Sequence, residues 1–323
     1  MRLRSPPVGG LTPHLKDSLL ADPHGAKQVV GFIGIGLMGH GMAKNIVEKG
    51  YPLLVMAHRN RTPLDDLVAR GAREVASARE MAAQADVIVL CVTGSPQVEA
   101  ILRGPEGVLA GARQGLVVID SSTSDPVSTG ILAQELSGAG MSLVDAPLSR
   151  TPKEAEAGTL DCMVGADPAA FEAVLPIIQC FAAKIVHVGP VGAGHTMKLL
   201  NNFLSIGYAS LYSEALALGA KVGITPAQFH AVIGGGRMSC GFYDTFMQYV
   251  VGRDRDAHKF TLQNAHKDVR YLANLANEAG TANYIGAVVK NYLATAEAMG
   301  KGGDYLPMLS DHVAALNGVK LAD

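Results

Sequence analysis

The chain contains no tryptophan, only 5% aromatic residues and four cysteines among 323 residues, and each shortage narrows what it can be. Cys91, Cys162, Cys180 and Cys240 lie far apart and form no C-x-x-C pair. The ten histidines fall into no H-x-x-x-H or Cys/His grouping of metal-ligand type. A reduced, cytoplasmic protein without a metal is the expectation. Charge is scarce as well. Charged residues make up 17% and the formal net charge is -2, so no basic excess is available to neutralise a phosphate backbone, and nucleic acid is not an expected partner. No apolar run approaches the roughly 20 residues that span a bilayer, so no membrane helix is expected. Residues 1–27 contain basic residues, prolines and glycines but no sustained apolar segment and no clear cleavage site, and read as a loose extension.

What is abundant is apolar content, 48%, enough for two cores at typical domain size. The most informative stretch is VVGFIGIGLMGHGMAK. Val29, Val30, Phe32, Ile33 and Ile35 form an apolar run that meets Gly34, Gly36 and Gly39 in G-x-G-x-x-G spacing, and Met38, Met42, Ile46 and Val47 follow at helical intervals. The pattern predicts strand, tight turn, helix. Gly34 permits the turn, Gly36 lets backbone approach a pyrophosphate, Gly39 lets helix pack on strand, and the free amides at Leu37 and Met38 face the phosphate charge. A dinucleotide is the expected ligand.

Beyond this helix, short β-rich runs at 53–57, 87–92, 116–120, 142–146, 160–164 and 185–188 alternate with helical stretches, which predicts a mostly parallel sheet covered by helices. The β signal stops at Val188. From Gly189-Pro190 onward the chain reads as helix at 196–222, 226–233, 261–278 and 283–298. The expected division is an α/β dinucleotide-binding domain at 28–190 and an all-α domain at 191–323.

In such a fold the residue ending the second strand meets the adenine ribose. An acid there accepts the 2′-hydroxyl, whereas arginine suits a 2′-phosphate. This chain has His58, Arg59, Asn60 and Arg61 in that segment and its first acid is Asp65, so NADP is favoured over NAD; the alternative is a solvated basic loop. Val92 and Thr93, where another strand ends, complete the expected cofactor edge.

Lys198, Asn201, Asn202, Ser205 and Tyr212 share a stripe of a largely apolar helix. Burying an ammonium is costly, so Lys198 either pairs with an acid or faces a cleft that an anionic ligand completes. A lysine can donate a proton to a carbonyl under reduction while an amide orients the substrate. Asp145-Ala146-Pro147-Leu148-Ser149-Arg150-Thr151 follows a strand, where α/β folds bind ligands. Arg150 there either grips a carboxylate or sulfonate in bidentate fashion or is a surface arginine. Asp120-Ser121-Ser122-Thr123 ends another strand and also reads as helix capping. His266-Lys267-Asp268 reads by default as a solvated helix face.

Taken together, GFIGIGLMGHGMAKN, Ser122-Thr123, DAPLS followed by GTL, GAGHTMKLLNN and AHKDV resemble the β-hydroxyacid dehydrogenases, from about Gln28 to about Asp311. That family includes 3-hydroxyisobutyrate dehydrogenases, tartronate semialdehyde (2-hydroxy-3-oxopropionate) reductases and glyoxylate/succinic semialdehyde reductases. The resemblance implies an N-terminal Rossmann domain joined by a long helix to an all-α domain, in a homodimer or homotetramer. It implies Lys198 as the catalytic lysine, Asn202 as the positioning amide and Ser149 as the substrate-binding serine. It further implies Thr123 near nicotinamide and substrate, and Lys267 as a lysine closing over the cofactor. The chain departs from the family at one place: most members have Ser-Gly-Gly where it has Ser149-Arg150-Thr151, and an Arg-Thr pair similar to Arg150-Thr151 is found in the sulfolactaldehyde reductase branch. The expected activity is NADP-preferring interconversion of a short anionic semialdehyde and its hydroxy acid. Sulfolactaldehyde or succinic semialdehyde/glyoxylate reduction is the alternative, and a non-catalytic dinucleotide-binding sensor is the alternative of another class.

Overall fold

The computed structural model describes residues 27–57 and 60–322. The expected extension at 1–27 lies, but for Lys27, outside the described residues, as do His58 and Arg59. Two compact units divide between His195 and Thr196.

The N-terminal unit is built on one sheet. Strands β1 (Val30–Ile33), β2 (Leu53–Val55), β3 (Arg73–Glu74), β4 (Val87–Leu90), β5 (Val117–Asp120) and β6 (Ser142–Asp145) run parallel in the order β3-β2-β1-β4-β5-β6. This is the dinucleotide-binding order, with its switch point between β1 and β4. Beyond β6 the sheet continues through β8 (Leu160–Gly165), which runs antiparallel to β6 and to β7 (Leu148–Ser149) and parallel to β9 (Ala182–Gly189). The inner strands β1 and β4 are apolar along their length because both faces are covered. Val87 and Val89 enter one core with Val30, Phe32 and Val117, while Ile88 and Leu90 enter the other with Ile33, Val118 and Leu143. Helices α1 (Gly39–Glu48), α2 (Thr62–Ala69), α3 (Ala78–Ala82), α4 (Ser95–Arg103), α5 (Pro126–Gly138), α6 (Pro152–Ala157) and α7 (Pro168–Ile178) connect the strands. Side-chain caps begin several of them, among them Ser77, Asp125, Thr151 and Asp167.

Helix α8 (Ala193–Lys221) runs from the first unit into the second. It has 29 residues, about 44 Å of helix. The second unit adds α9 (Pro226–Ile233), α10 (Gly241–Gly252), α11 (Leu262–Glu278), α12 (Tyr284–Ala298) and α13 (Leu309–Leu316) around Ile206, Tyr243, Phe246, Leu293 and Val313. Its helices thus exceed the four expected by α10 and α13, and the sheet gains the two-residue strands β3 and β7. No helix among the described residues is long and apolar enough to cross a membrane.

Candidate active site

Register places the parallel strands' C-terminal ends in one row: Ile33 pairs with Leu90, Leu90 with Asp120 and Asp120 with Asp145. The loops leaving this row contain the glycine motif, Val92-Thr93 and Ser121-Ser122-Thr123. The three glycines have three different surroundings. Gly34 has φ 101°, and a Cβ there would lie 2.2 Å from the Cys91 carbonyl oxygen. A Cβ on Gly39 would lie 2.0 Å from the Gly34 oxygen. On Gly36 it would meet nothing within 4 Å, so that backbone is bare where a ligand can approach. Helix α1 has Met38 at its N-cap position, with no side-chain cap bond and no acid in its first turn, leaving its amides and dipole available to an anion. Leu37 is 84% exposed beside it. These residues fit a dinucleotide.

The neighbouring loops are interlocked. The Val92 amide donates to Ser122 Oγ at 3.0 Å, the Ser122 amide donates to Asp120 at 2.9 Å and the Ser124 hydroxyl donates to the same carboxylate at 2.8 Å. Ser122 therefore serves the loop rather than a helix, while the Ser121 hydroxyl is buried without a hydrogen-bond partner among the described residues; the cap of α5 is Asp125, which accepts from the Val127 amide. Thr93 is exposed and Thr123 half-buried on the same edge.

Past β2 the chain offers no acid before Asp65, which lies within α2 and 3.6 Å from Arg61. Arg61 forms a fork with Glu74 of β3, at 3.0 and 2.9 Å, so a 2′-phosphate would have to compete with a carboxylate for it. Asn60 accepts the Thr62 amide at 3.1 Å.

Ser149, half-buried, ends β7. Arg150 adopts φ 86°, a left-handed conformation that favours glycine, and its Nε donates to Asp161 at 2.9 Å from an exposed position. The loop retains a glycine-like backbone with an arginine on it. Thr151 is the N-cap of α6, its hydroxyl engaged with Glu154 and accepting the Lys153 amide in a capping box.

In the second unit, Lys198 and Asn202 lie one turn apart on α8. Leu199 and Phe203 pack against Tyr271 and Leu272 of α11, which brings the two helices together. Asn202, buried, donates its amide to Asp268 at 2.7 Å. Lys267 Nζ lies 3.1 Å from the other carboxylate oxygen, an ion pair without hydrogen-bond geometry, and 5.2 Å from the Tyr271 ring centroid. Burial lowers the pKa of Lys198; the negative charge of Asp268 opposes that shift and the charge of Lys267 adds to it. His258, between α10 and α11, has its pKa lowered by burial and by Lys198. The solvated face expected at His266-Lys267-Asp268 is thus corrected: Asp268 is 3% exposed and its helix face is packed on α8. Sequence reading missed Asp268 because a charged helix residue gives no sign of what lies across from it. Asn201, on the expected stripe, is exposed.

Residues 29–189 match the family model described as the NAD binding domain of 6-phosphogluconate dehydrogenase, and residues 192–314 match the one described as the NAD-binding of NADP-dependent 3-hydroxyisobutyrate dehydrogenase. The chain is 33% identical over 274 residues to 2-(hydroxymethyl)glutarate dehydrogenase of Eubacterium barkeri, covering 84% of this chain and 90% of that one. It is 32% identical over 257 residues to 2-hydroxy-3-oxopropionate reductase of Escherichia coli (strain K12), covering 77% and 87%. Among solved structures, Mycobacterium tuberculosis 3-hydroxyisobutyrate dehydrogenase with L-serine is similar at TM-score 0.79 and 26% identity, over 89% of this chain and 99% of that one.

Proposed function

The chain belongs to the β-hydroxyacid dehydrogenases, and on that premise we propose that it is an NADP-preferring oxidoreductase interconverting a short anionic semialdehyde and its hydroxy acid. The observation that carries this reading is Lys198: a lysine on a packed helix, its pKa lowered by burial, with the oriented amide of Asn202 one turn away. A bound nicotinamide supplies or receives the hydride. Gly34, Gly36, Leu37, Met38 and Gly39 would hold the pyrophosphate, Val92, Thr93 and Thr123 would line the nicotinamide side, and Lys267 would add positive charge. Asn60, Arg59 and Arg61 would meet the adenosine 2′-phosphate. The absence of an acid between β2 and Asp65 supports NADP, although Arg61 must first leave Glu74.

In the reductive direction Lys198 Nζ donates its proton to the oxygen of the carbonyl as it becomes an alkoxide, and a lysine whose ammonium is destabilised by burial gives up that proton more readily. Asn202 holds the substrate in register with the lysine, and Ser149 with Arg150 and Thr151 holds its anionic group. A guanidinium where relatives have glycine favours a second reading within the class, a sulfonate-bearing aldehyde such as sulfolactaldehyde.

Leu200, Leu204, Tyr208, Leu211 and Leu218 form an exposed apolar stripe along α8, which supports a homodimer or homotetramer. A monomer mass by sedimentation would contradict that assignment. The function itself is tested by following cofactor oxidation with tartronate semialdehyde, methylmalonate semialdehyde, succinic semialdehyde, glyoxylate and sulfolactaldehyde. Turnover is expected on at least one of these with NADPH; no turnover on any, with dinucleotide bound, would favour a non-catalytic sensor.

A further inference from the structure

Asp120 and Asp145 end adjacent parallel strands as register partners, and both are buried, at 2% and 0% exposure. Two neighbouring carboxylates in such a place call for a balancing positive charge. His195, wholly buried in the first turn of α8, lies between them: Nε2 is 3.7 Å from Asp120 and Nδ1 is 3.9 Å from Asp145. Hydrogen-bond arithmetic defines the ring further. Thr129 of α5 donates its one hydroxyl hydrogen to the Asp125 carbonyl at 3.0 Å, so at 2.8 Å from Nδ1 it must accept, and Nδ1 carries a hydrogen. Nε2 makes no hydrogen bond and faces Asp120. If it were bare, its lone pair would point at a carboxylate; with a second hydrogen it presents positive charge to both acids.

Asp145 also caps the helix. Its two oxygens accept the Gly192 amide at 2.6 Å and the His195 amide at 2.7 Å, and a Cβ on Gly165 or Gly194 would collide with that carboxylate, at 2.4 and 2.8 Å. Burial raises the Asp145 pKa, and the His195 ring and the two amides oppose the rise. The other titratable groups facing these acids are the thiols of Cys91, after β4, and Cys162, in β8, both pushed up by burial and therefore neutral.

We infer that His195 is a positioning residue: as an imidazolium shared between Asp120 and Asp145, it clasps the first turn of α8 to the ends of β5 and β6 and steadies the helix that bears Lys198 three residues later. Through Asp120 the clasp also reaches the loop that carries Thr123. None of its three members touches substrate or cofactor in this account. The inference rests on the reading of Lys198 given above, but its first test does not.

That test is the 15N spectrum of ring-labelled histidine in the full-length wild-type protein near pH 7.5, assigned by comparison with His195→Gln. The expected signature is a ring with both nitrogens protonated; a neutral His195 ring overturns the inference whatever Lys198 does. The second is His195→Leu, which keeps an apolar side chain of similar bulk. It should speed hydrogen exchange at the Gly192 and His195 amide positions and lower kcat roughly ten- to a hundredfold, while KM and dinucleotide Kd change less than threefold. Unchanged exchange or unchanged kcat in folded His195→Leu protein would also overturn it.

Discussion

The side-chain amide of Asn202 on α8 donates to the Asp268 carboxylate on α11 at 2.7 Å, with both residues buried. A carboxylate only accepts, so the contact fixes which end of the amide faces α11 and leaves the second N–H of that nitrogen for another acceptor. Asp268 thereby orients the residue proposed to hold the substrate and, by its charge, supports the ammonium of Lys198 against burial.

The first prediction is the sign of the pH dependence. Reduction needs Lys198 protonated, and burial places its pKa below the ordinary lysine value of 10.5. The rate of reduction at saturating substrate should therefore hold at lower pH and fall as pH rises through that lowered pKa, while oxidation, which needs the neutral amine, should rise over the same range. Asp268→Asn removes the charge that opposes the shift, so the limb should move to lower pH. A limb in the same place for wild type and Asp268→Asn would show that Asp268 does not act on Lys198.

The glycine loop gives a contrast between two substitutions. In Gly36→Ala the new methyl group meets no protein atom, so thermal stability should be unchanged while the dinucleotide Kd rises at least about tenfold, because the methyl occupies the approach to the pyrophosphate. Gly39→Ala drives a methyl into the Gly34 carbonyl and should destabilise the protein by about 1–3 kcal/mol. Binding by Gly36→Ala as tight as wild type would mean the phosphates lie elsewhere.

Cofactor choice is read from the ratio of kcat/KM for NADPH and NADH. Wild type should favour NADPH, and Arg59→Asp should lower NADPH efficiency far more than NADH efficiency by replacing a phosphate partner with a repulsive charge. A wild-type preference for NADH would refute the assignment and would agree with Arg61 remaining on Glu74.

Arg150→Gly should separate fold from function. Glycine relieves a left-handed backbone conformation that costs other residues about 1–2 kcal/mol, against roughly 0.2–1 kcal/mol for the exposed pair with Asp161. The variant should be as stable as wild type or slightly more so, yet its KM for the anionic aldehyde should rise several-fold. Equal KM values would make Arg150 a surface residue and leave the anion to Ser149 and backbone amides.

Local periodicity made much of this molecule legible before its structure. The glycine turn, the buried strands β4 to β6 and α9 at Pro226–Ile233 each have a pattern confined to a few residues. Strand β3, Arg73–Glu74, is exposed and polar, so nothing in its composition marks it as a strand. Helix α10 buries Tyr243, Phe246, Met247 and Val250 at helical spacing but was obscured by the glycines that flank it. Contacts across long separations were invisible altogether: Asp145 meets His195 fifty residues later, and Asn202 meets Asp268 after sixty-six. Such pairs depend on strand register and helix packing, which one-dimensional spacing does not encode.

The central claim, that Lys198 is the proton donor, is tested most directly by kcat for purified Lys198→Ala on the best substrate of the panel, measured beside its dinucleotide Kd. The account predicts a fall in kcat of roughly two or more orders of magnitude with Kd little changed. Turnover at the wild-type rate would contradict it.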